Sequence, residues 1–528
     1  MADQIIALLS RTFSTLRTTW PVAATGAWLC LCPPVLHAAG KSPGQWYSEG
    51  ESAARQSALL KPNRQRARNV ILFIGDGMGV STVTAARILQ GQQRGESGEE
   101  NLLSFERFPW LALSKTYNTN QQTPDSAGTM SAIMTGEKTR AGVIALDTEA
   151  RRNDCSDASG HALQTLLELA ETKGKSTGIV TTARLTHATP AATYAHSPER
   201  DWEGDSEMPK AARDQGCRDI AAQLIEFRDG DGPEVALGGG RRYFLPESAT
   251  DPESPQDRGT RKDGRDLTAE WLATRKDAAY VWNQDQLDTL KLAHTQHLLG
   301  LFDASHMHYE ADREQDAGGE PSLSDMTARA IEILRRNRRG YFLMVEAGRI
   351  DHAHHAGNAF RALTDTIELS RAVSTARAMT SDEDTLIIVT ADHSHVFTMA
   401  GYPTRGNPIL GKVIGNDEHG EPESKPVLAE DGKPYTTLGY QNGAGYSFNK
   451  DSVLSGKRRK PAAGRTQDLA GIDTTDPRFH QQSLVPLKSE THGGEDVAVY
   501  ADGPGAYRVH GVIEQHVIYH IMKQAMGL

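Results

Sequence analysis

Apolar and polar positions along this chain repeat on two length scales. Short strand candidates occur at 70–74, 176–181, 234–237, 341–345, 385–390 and 497–501, and several of them are continuous apolar runs. Between them lie stretches such as 81–90, 161–173, 322–336 and 360–379, where apolar residues recur every three or four positions. A run without a polar face predicts a strand covered on both sides, and the longer period predicts amphipathic helices packed over it. Their alternation predicts an α/β fold, a largely parallel central sheet flanked by helices. Two stretches break the rhythm. Residues 248–265 are rich in Asp, Pro, Gly and Arg, which predicts a surface insertion, and 404–488 read as a small loop-rich subdomain interrupting the sheet. Residues 512–528, with Glu514, His516, His520 and Lys523, predict an amphipathic closing helix rather than a lipid-anchor signal or a membrane span.

Composition changes little. The 528 residues can bury a large core in more than one domain. The balance of 57 − 68 = −11 excludes a global basic field that would recruit nucleic acid or anionic lipid. It does not exclude an anionic substrate, because a buried cluster of cations inverts the sign locally. The N-terminus adds more. Arg11 and Arg17 precede a mostly apolar run at 20–36, followed by Ala38 and Ala39, the order of a secretory signal peptide over 1–39. Pro21, Pro33 and Pro34 interrupt the run, which is short for a membrane anchor. A polar, helix-prone arm extends from there to residue 68. Cys30 and Cys32 lie in the leader, so the exported chain keeps Cys155 and Cys217, a pair that favours a disulfide over free thiols or metal binding.

The candidate chemistry collects at the carboxyl ends of the predicted strands, where open α/β sheets bind ligands. The first strand ends in Gly75-Asp76-Gly77-Met78-Gly79, whose spacing fits neither a dinucleotide fingerprint nor a Walker loop. The 341–345 strand ends in Glu346 and leads to Asp351-His352-Ala353-His354-His355. The 385–390 strand leads to Asp392-His393-Ser394-His395, the 176–181 strand to His187-Ala188-Thr189, and Thr491-His492 precedes the last strand. Carboxylates and imidazoles together are zinc ligands, and oxygen donors alone suit magnesium. Each pair taken singly reads equally as a solvated surface contact; the joint placement argues for metal. His294, His297, His306 and His308 lack that placement and read as surface or core histidines. The segment Pro124-Asp125-Ser126-Ala127 reads as a helix start. Ser126 is there either a nucleophile beside the positive end of the helix, or Asp125 or Ser126 is a plain N-cap. No G-x-S-x-G elbow surrounds it, so a serine acting here needs another activator, such as a metal.

The runs Asn69 to Gly79, Pro124 to Ala127, Val345 to His352 and Thr390 to His395, closed by Glu490 to Asp496, resemble alkaline phosphatase, and its animal-type branch more than the enterobacterial one. The resemblance is colinear from about Trp46 onward. It implies a phosphate monoesterase with a phosphoseryl intermediate on Ser126. Asp351, His355 and His492 would hold a first zinc ion, and Asp76, Asp392 and His393 a second. Asp76, Thr189 and Glu346 would hold magnesium, and Arg200 would clamp the phosphate. His187 and His352 fall on positions just outside the ligands, and Cys155 and Cys217 on an animal-type disulfide. A calcium ion is implied at Glu253, the Phe302 carbonyl, Asp303 and Glu320. The resemblance also implies a homodimer: an N-terminal arm (40–68) that embraces the neighbour, a catalytic body (69–403 and 489–528) and a crown-like insertion (404–488). Tyr402 would reach the partner's site. Ser489 departs from the pattern, which has an acidic residue near it. The competing readings are a metal-dependent phosphodiesterase, sulfatase or mutase of the same superfamily, and an inactive metal- or phosphate-binding protein. Arg200 suits a terminal phosphate dianion and disfavours the diesterase.

Overall fold

The run Asn69–Gly75 has no polar face, and it lies at the centre of a ten-stranded sheet in the computed structural model, which describes residues 41–158, 160–445 and 468–528. In chain order the strands are β1 (Asn69–Gly75), β2 (Trp110–Lys115), β3 (Ser176–Arg184), β4 (Val235–Gly239), β5 (Ala278–Val281), β6 (His297–Leu301), β7 (Tyr341–Ala347), β8 (Thr385–Thr390), β9 (Val497–Asp502) and β10 (Gly511–Glu514). Across the sheet they run β10-β2-β9-β8-β1-β7-β3-β4-β6-β5. Among the described strands only β9 is reversed, antiparallel to β8 and β2; the other pairings of this sheet are parallel. The fold is the α/β architecture that the apolar pattern predicts.

Successive residues of a strand face opposite ways, so β1 feeds two cores. Ile71 and Phe73 pack with Leu343, Val345, Ile387 and Val389 against residues of helices Val80–Gln93, Leu323–Leu334 and Ala359–Met379. Val70, Leu72 and Ile74 pack with Phe342, Met344, Leu386 and Ile388 against helices Ser126–Thr135 and Val517–Met526. Register aligns the ends of the central strands. Ile74 stands opposite both Glu346 of β7 and Thr390 of β8, so Asp76 and Asp392 both come two residues beyond the level of Glu346, at one rim.

Two predicted helices are shorter than their patterns. The 161–173 helix begins at Leu166, because Thr165 and Glu168 close a capping box there and Ala162 is instead bridged to Leu146. The 512–528 segment divides: Val512 and Ile513, β-branched, pair with Leu113 and Ser114 of β2, and the helix starts only at Val517. The predicted strands do not include β2, β5, β6 and β10, which are only four to six residues long. The 248–265 insertion is exposed at its tip but anchored by the buried Asp251 and Arg261. The Arg261 guanidinium donates to Asp219 at 2.8 and 3.1 Å.

The predicted leader lies outside the described residues, as do residues 446–467 of the loop-rich stretch. Around that stretch Phe397–Met399, Leu438–Gly443 and Ser483–Pro486 form a three-stranded sheet, and 404–437 carry only isolated bridges. Helix Pro43–Ala58 starts with a capping box between Ser42 and Gln45 and buries no residue. No helix among the described residues is long and apolar enough to cross a membrane.

Leu72 is wholly buried between β7 and β8. Leu72→Ala is expected to lower unfolding free energy by about 2–5 kcal/mol, read as a shift of the denaturant midpoint at unchanged m-value.

Candidate active site

Helix Ser126–Thr135 shows which of Asp125 and Ser126 is the cap. Asp125 is the N-cap: its Oδ1 accepts from Gly128 N at 3.2 Å and its Oδ2 from Gly142 N at 2.9 Å. Ser126 is therefore the first helical residue, and its hydroxyl is free to face the rim. It lies 3.1 Å from His393 Nε2 and 3.5 Å from Asp76 Oδ1.

Three donor sets surround this hydroxyl. In the first, Asp351 Oδ1 is 3.3 Å from both His355 Nε2 and His492 Nε2, and the two imidazole nitrogens are 3.1 Å apart. Asp351 and His355 share one face of the helix Arg349–His355 that comes after β7. His492 comes from far along the chain, delivered by a two-stranded pairing of His492–Gly493 with Ser394–His395. In the second set His393 Nε2 is 3.4 Å from Asp76 Oδ1 and 3.4 Å from Asp392 Oδ2. In the third, Asp76 turns its other oxygen, Oδ2, to Thr189 Oγ1 at 3.5 Å, and the buried Oε1 of Glu346 has no hydrogen-bond partner. An imidazole nitrogen of His187 lies within 4.8 Å of carboxylate oxygens of Asp76 and Glu346.

The sets fit divalent cations. Donors about 2.0–2.2 Å from a tetrahedral zinc ion stand roughly 3.3–3.5 Å apart, which is the spacing of the first two sets. The tautomers agree. Nδ1 of His355, His492 and His393 faces the carbonyls of Glu490, Pro124 and Ser394 at 2.7, 2.7 and 3.2 Å, so each donates there and leaves an Nε2 lone pair pointing inward. Two lone pairs at 3.1 Å repel unless a cation lies between them. Electrostatics say the same: burial and the charges of Asp392, Asp351 and Glu346 push the Asp76 carboxyl well up, and burial raises Glu346 to about 8. These carboxylates demand positive charge that the surrounding side chains do not supply.

Arg200 lies at the opening. Its Nη1 donates to Asp125 Oδ2 at 3.1 Å and its Nη2 to His187 Nε2 at 3.2 Å, which fixes the guanidinium plane at one edge. His187 and His352 lie together, ring centroids 5.4 Å apart. His306 joins them, 4.0 Å from His352 and 5.3 Å from His187, so it belongs beside the site rather than among unrelated core histidines. His308 likewise stands in a cluster with Asp303 and Glu320. His294 is exposed and His297 is buried in β6, as the sequence implies. Glu253, implied as a calcium ligand, is held by Arg241 Nη2 at 2.7 Å. Ser489 donates to the His355 carbonyl at 3.1 Å. Cys155 and Cys217 pair as a disulfide, their Cα atoms 5.9 Å apart. Sequence reasoning passes over the role of His395, which bonds Asp351 Oδ1 at 2.8 Å through Nε2 and Glu490 Oε2 at 2.6 Å through Nδ1. Its signal is adjacency: His395 closes the Asp392 motif and Glu490 precedes Thr491-His492.

A largely parallel sheet whose rim gathers a helix-borne serine, two carboxylate–imidazole sets and a third set rich in oxygen donors defines a metal-dependent hydrolase of the α/β class. The chain belongs to the alkaline phosphatase family, whose family model matches residues 67–528. It is 46% identical over 493 residues to the tissue-nonspecific alkaline phosphatase of Gallus gallus, covering 92% of this chain and 89% of that protein. The Homo sapiens counterpart is 45% identical over 505 residues, covering 94% and 91%. Among solved structures, the Thermus thermophilus alkaline phosphatase superposes with a TM-score of 0.61 at 25% identity, covering 88% of this chain and 93% of that one. The enzyme of the Antarctic bacterium TAB5 shares the fold, with a TM-score of 0.57 at 21% identity over 88% and 99%.

Gly77 adopts φ +70°, and a Cβ there would collide with the His395 imidazole. Gly77→Ala is expected to cost about 1–2 kcal/mol from backbone strain alone and to displace His395 from Asp351. Bound metal per chain should fall along with the thermal midpoint. An unchanged metal count would show that His395 does not hold Asp351 in place.

Proposed function

We propose that this chain is an exported, homodimeric alkaline phosphatase in which Ser126 accepts the phosphoryl group of a phosphate monoester. The observation that carries this reading is the Ser126 hydroxyl at the N-terminus of a ten-residue helix, 3.1 Å from His393 Nε2 and 3.5 Å from Asp76 Oδ1. In this reading Asp351, His355 and His492 hold a first zinc ion, Asp76, Asp392 and His393 a second, and Asp76, Thr189 and Glu346 a magnesium ion. Bound there, the ions supply charge neutralisation and Lewis acidity for an in-line displacement at phosphorus.

The chain's own groups do the rest. Arg200, anchored by Asp125 and His187, keeps its remaining N–H groups for the non-bridging oxygens of a phosphate dianion. The helix N-terminus adds its dipole to the same oxygens. Oγ of Ser126 forms a bond to phosphorus as the ester P–O bond breaks, and the proton lost from the serine hydroxyl is balanced by the one the departing alkoxide takes up to leave as the alcohol. Water then attacks the phosphoserine, the Oγ–P bond breaks, and inorganic phosphate leaves. His355, His492 and Arg200 are only partly buried, while Asp76, Asp392 and His393 are wholly buried, so substrate enters from the side of the former group.

Export is supported by the leader-like residues 1–39 and by the Cys155–Cys217 pair, which suits an oxidising compartment such as a periplasm or the medium. The dimer is supported by helix Pro43–Ala58, which buries no residue yet carries Trp46 and Tyr47, and by Tyr402, 94% exposed. The crown-like insertion over 404–488 belongs to the same reading.

Ser126→Ala is expected to lower kcat at least about 10³-fold and to abolish phosphate label trapped on the chain at mildly acidic pH. Undiminished labelling of that variant removes the serine from its role. Chelation should abolish aryl phosphate hydrolysis, and zinc with magnesium should restore it; a fully active chain free of metal contradicts the donor-set reading.

A further inference from the structure

Away from Ser126, the same rim of the sheet carries a second cluster, built on the end of β6. Asp303 lies just beyond this strand, held there because Gly240 N and Arg241 N both donate to its carbonyl at 3.0 Å. His308 lies further along the same loop. Glu320 stands just before the helix Leu323–Leu334, whose N-cap is Ser322. Nδ1 of His308 lies 3.3 Å from Glu320 Oε1, 3.7 Å from Asp316 Oδ1 and 3.9 Å from Asp303 Oδ2.

That geometry is not a set of hydrogen bonds. His308 Nδ1, Glu320 Oε1 and Asp316 Oδ2 are all buried and none has a hydrogen-bond partner. Glu320 is only 3% exposed, and its other oxygen is already used, accepting from His308 N at 2.8 Å. A protonated His308 acting as a simple counter-ion would lie close and linear to one carboxylate. Instead that one imidazole nitrogen has carboxylate oxygens of Glu320, Asp316 and Asp303 at 3.3, 3.7 and 3.9 Å. One ligand atom each from Asp303, His308 and Glu320 falls within 4.8 Å of the others.

The residues present fit calcium poorly. Calcium takes six to eight oxygens and no nitrogen. Here one oxygen of Glu253, a ligand that the family resemblance implies, is already held by the buried Arg241, and an imidazole nitrogen lies among the carboxylates. Mixed imidazole and carboxylate donors are the preference of zinc and its transition-metal neighbours. We infer that Asp303, His308 and Glu320, with Asp316 beside them, form a fourth metal site that takes a transition-metal dication of the zinc class in place of calcium. The inference uses no residue of the Ser126 site and does not depend on the catalytic reading.

Equilibrium dialysis of the full-length chain against zinc in excess calcium, with both metals counted by mass spectrometry, tests it. The wild-type chain is expected to carry one more zinc ion than His308→Gln. His308→Asp, which makes the donor set all oxygen, is expected to exchange that zinc for one calcium, and it keeps the proposal falsifiable if His308→Gln does not fold. Anomalous scattering at the zinc edge should place an ion about 2.0–2.1 Å from His308 Nδ1. Equal zinc counts in wild type and both variants overturn the inference. So does a wild-type chain that keeps calcium there, or one that binds no metal beside His308. Phosphoserine trapping on the wild-type chain reports on Ser126 separately: its failure alongside a one-zinc difference would remove the catalytic reading and leave this site standing.

Discussion

The structure turns on a concentration of buried negative charge at one rim of the sheet. Asp76, Glu346 and Asp392 are wholly excluded from water and Asp351 nearly so, and the parallel register of β1, β7 and β8 brings the first three to the same rim. Uncompensated, each such ion costs several kcal/mol. The large apolar cores on both faces of the sheet carry that cost and leave the rim in need of cations. Metal affinity and folding are therefore coupled here: the same burial that raises the Asp76 carboxyl makes bound cations a source of stability.

Around this charge, orientation is supplied mostly by the backbone. Three imidazoles are fixed by carbonyls of Glu490, Pro124 and Ser394, so their rings cannot turn to satisfy Nε2 elsewhere. Asp125 has several tasks at once. It caps the Ser126 helix, accepts from Gly142 and anchors Arg200, so the Ser126 hydroxyl and the Arg200 guanidinium share one rigid reference point. A site built from such fixed parts has little to reorganise when substrate arrives, and preorganised dipoles and charges are where enzymes gain most of their electrostatic advantage.

Much of this was legible in the amino-acid sequence, for a physical reason. Strands buried on both faces announce themselves as apolar runs, and whatever polar residue comes after such a run must lie at the rim. Asp76, Glu346 and Asp392 could be read that way. Ser126 could not be separated from a cap, because the choice depends on which oxygen reaches Gly128 N, a three-dimensional fact. His306 and His308 were set aside because β6, His297–Leu301, opens on a histidine and carries Gly300, too broken a run to announce a strand. With the strand unseen, the residues beyond its end had no visible rim to occupy. The family resemblance adds the assignment of ions to donors, which no spacing in the sequence could provide.

The pairing of Ser394–His395 with His492–Gly493 has a further meaning for the life of the chain. It closes the rim with a residue that lies after almost everything else has been made. β9, next in the chain, wedges antiparallel between β8 and β2 and completes the sheet beside the same rim. A chain interrupted before this segment would carry Asp76, Glu346, Asp351 and Asp392 without the His492 imidazole that stands 3.3 Å from Asp351 Oδ1. In the proposed reading, truncation there removes a donor set as a unit instead of weakening it by degrees.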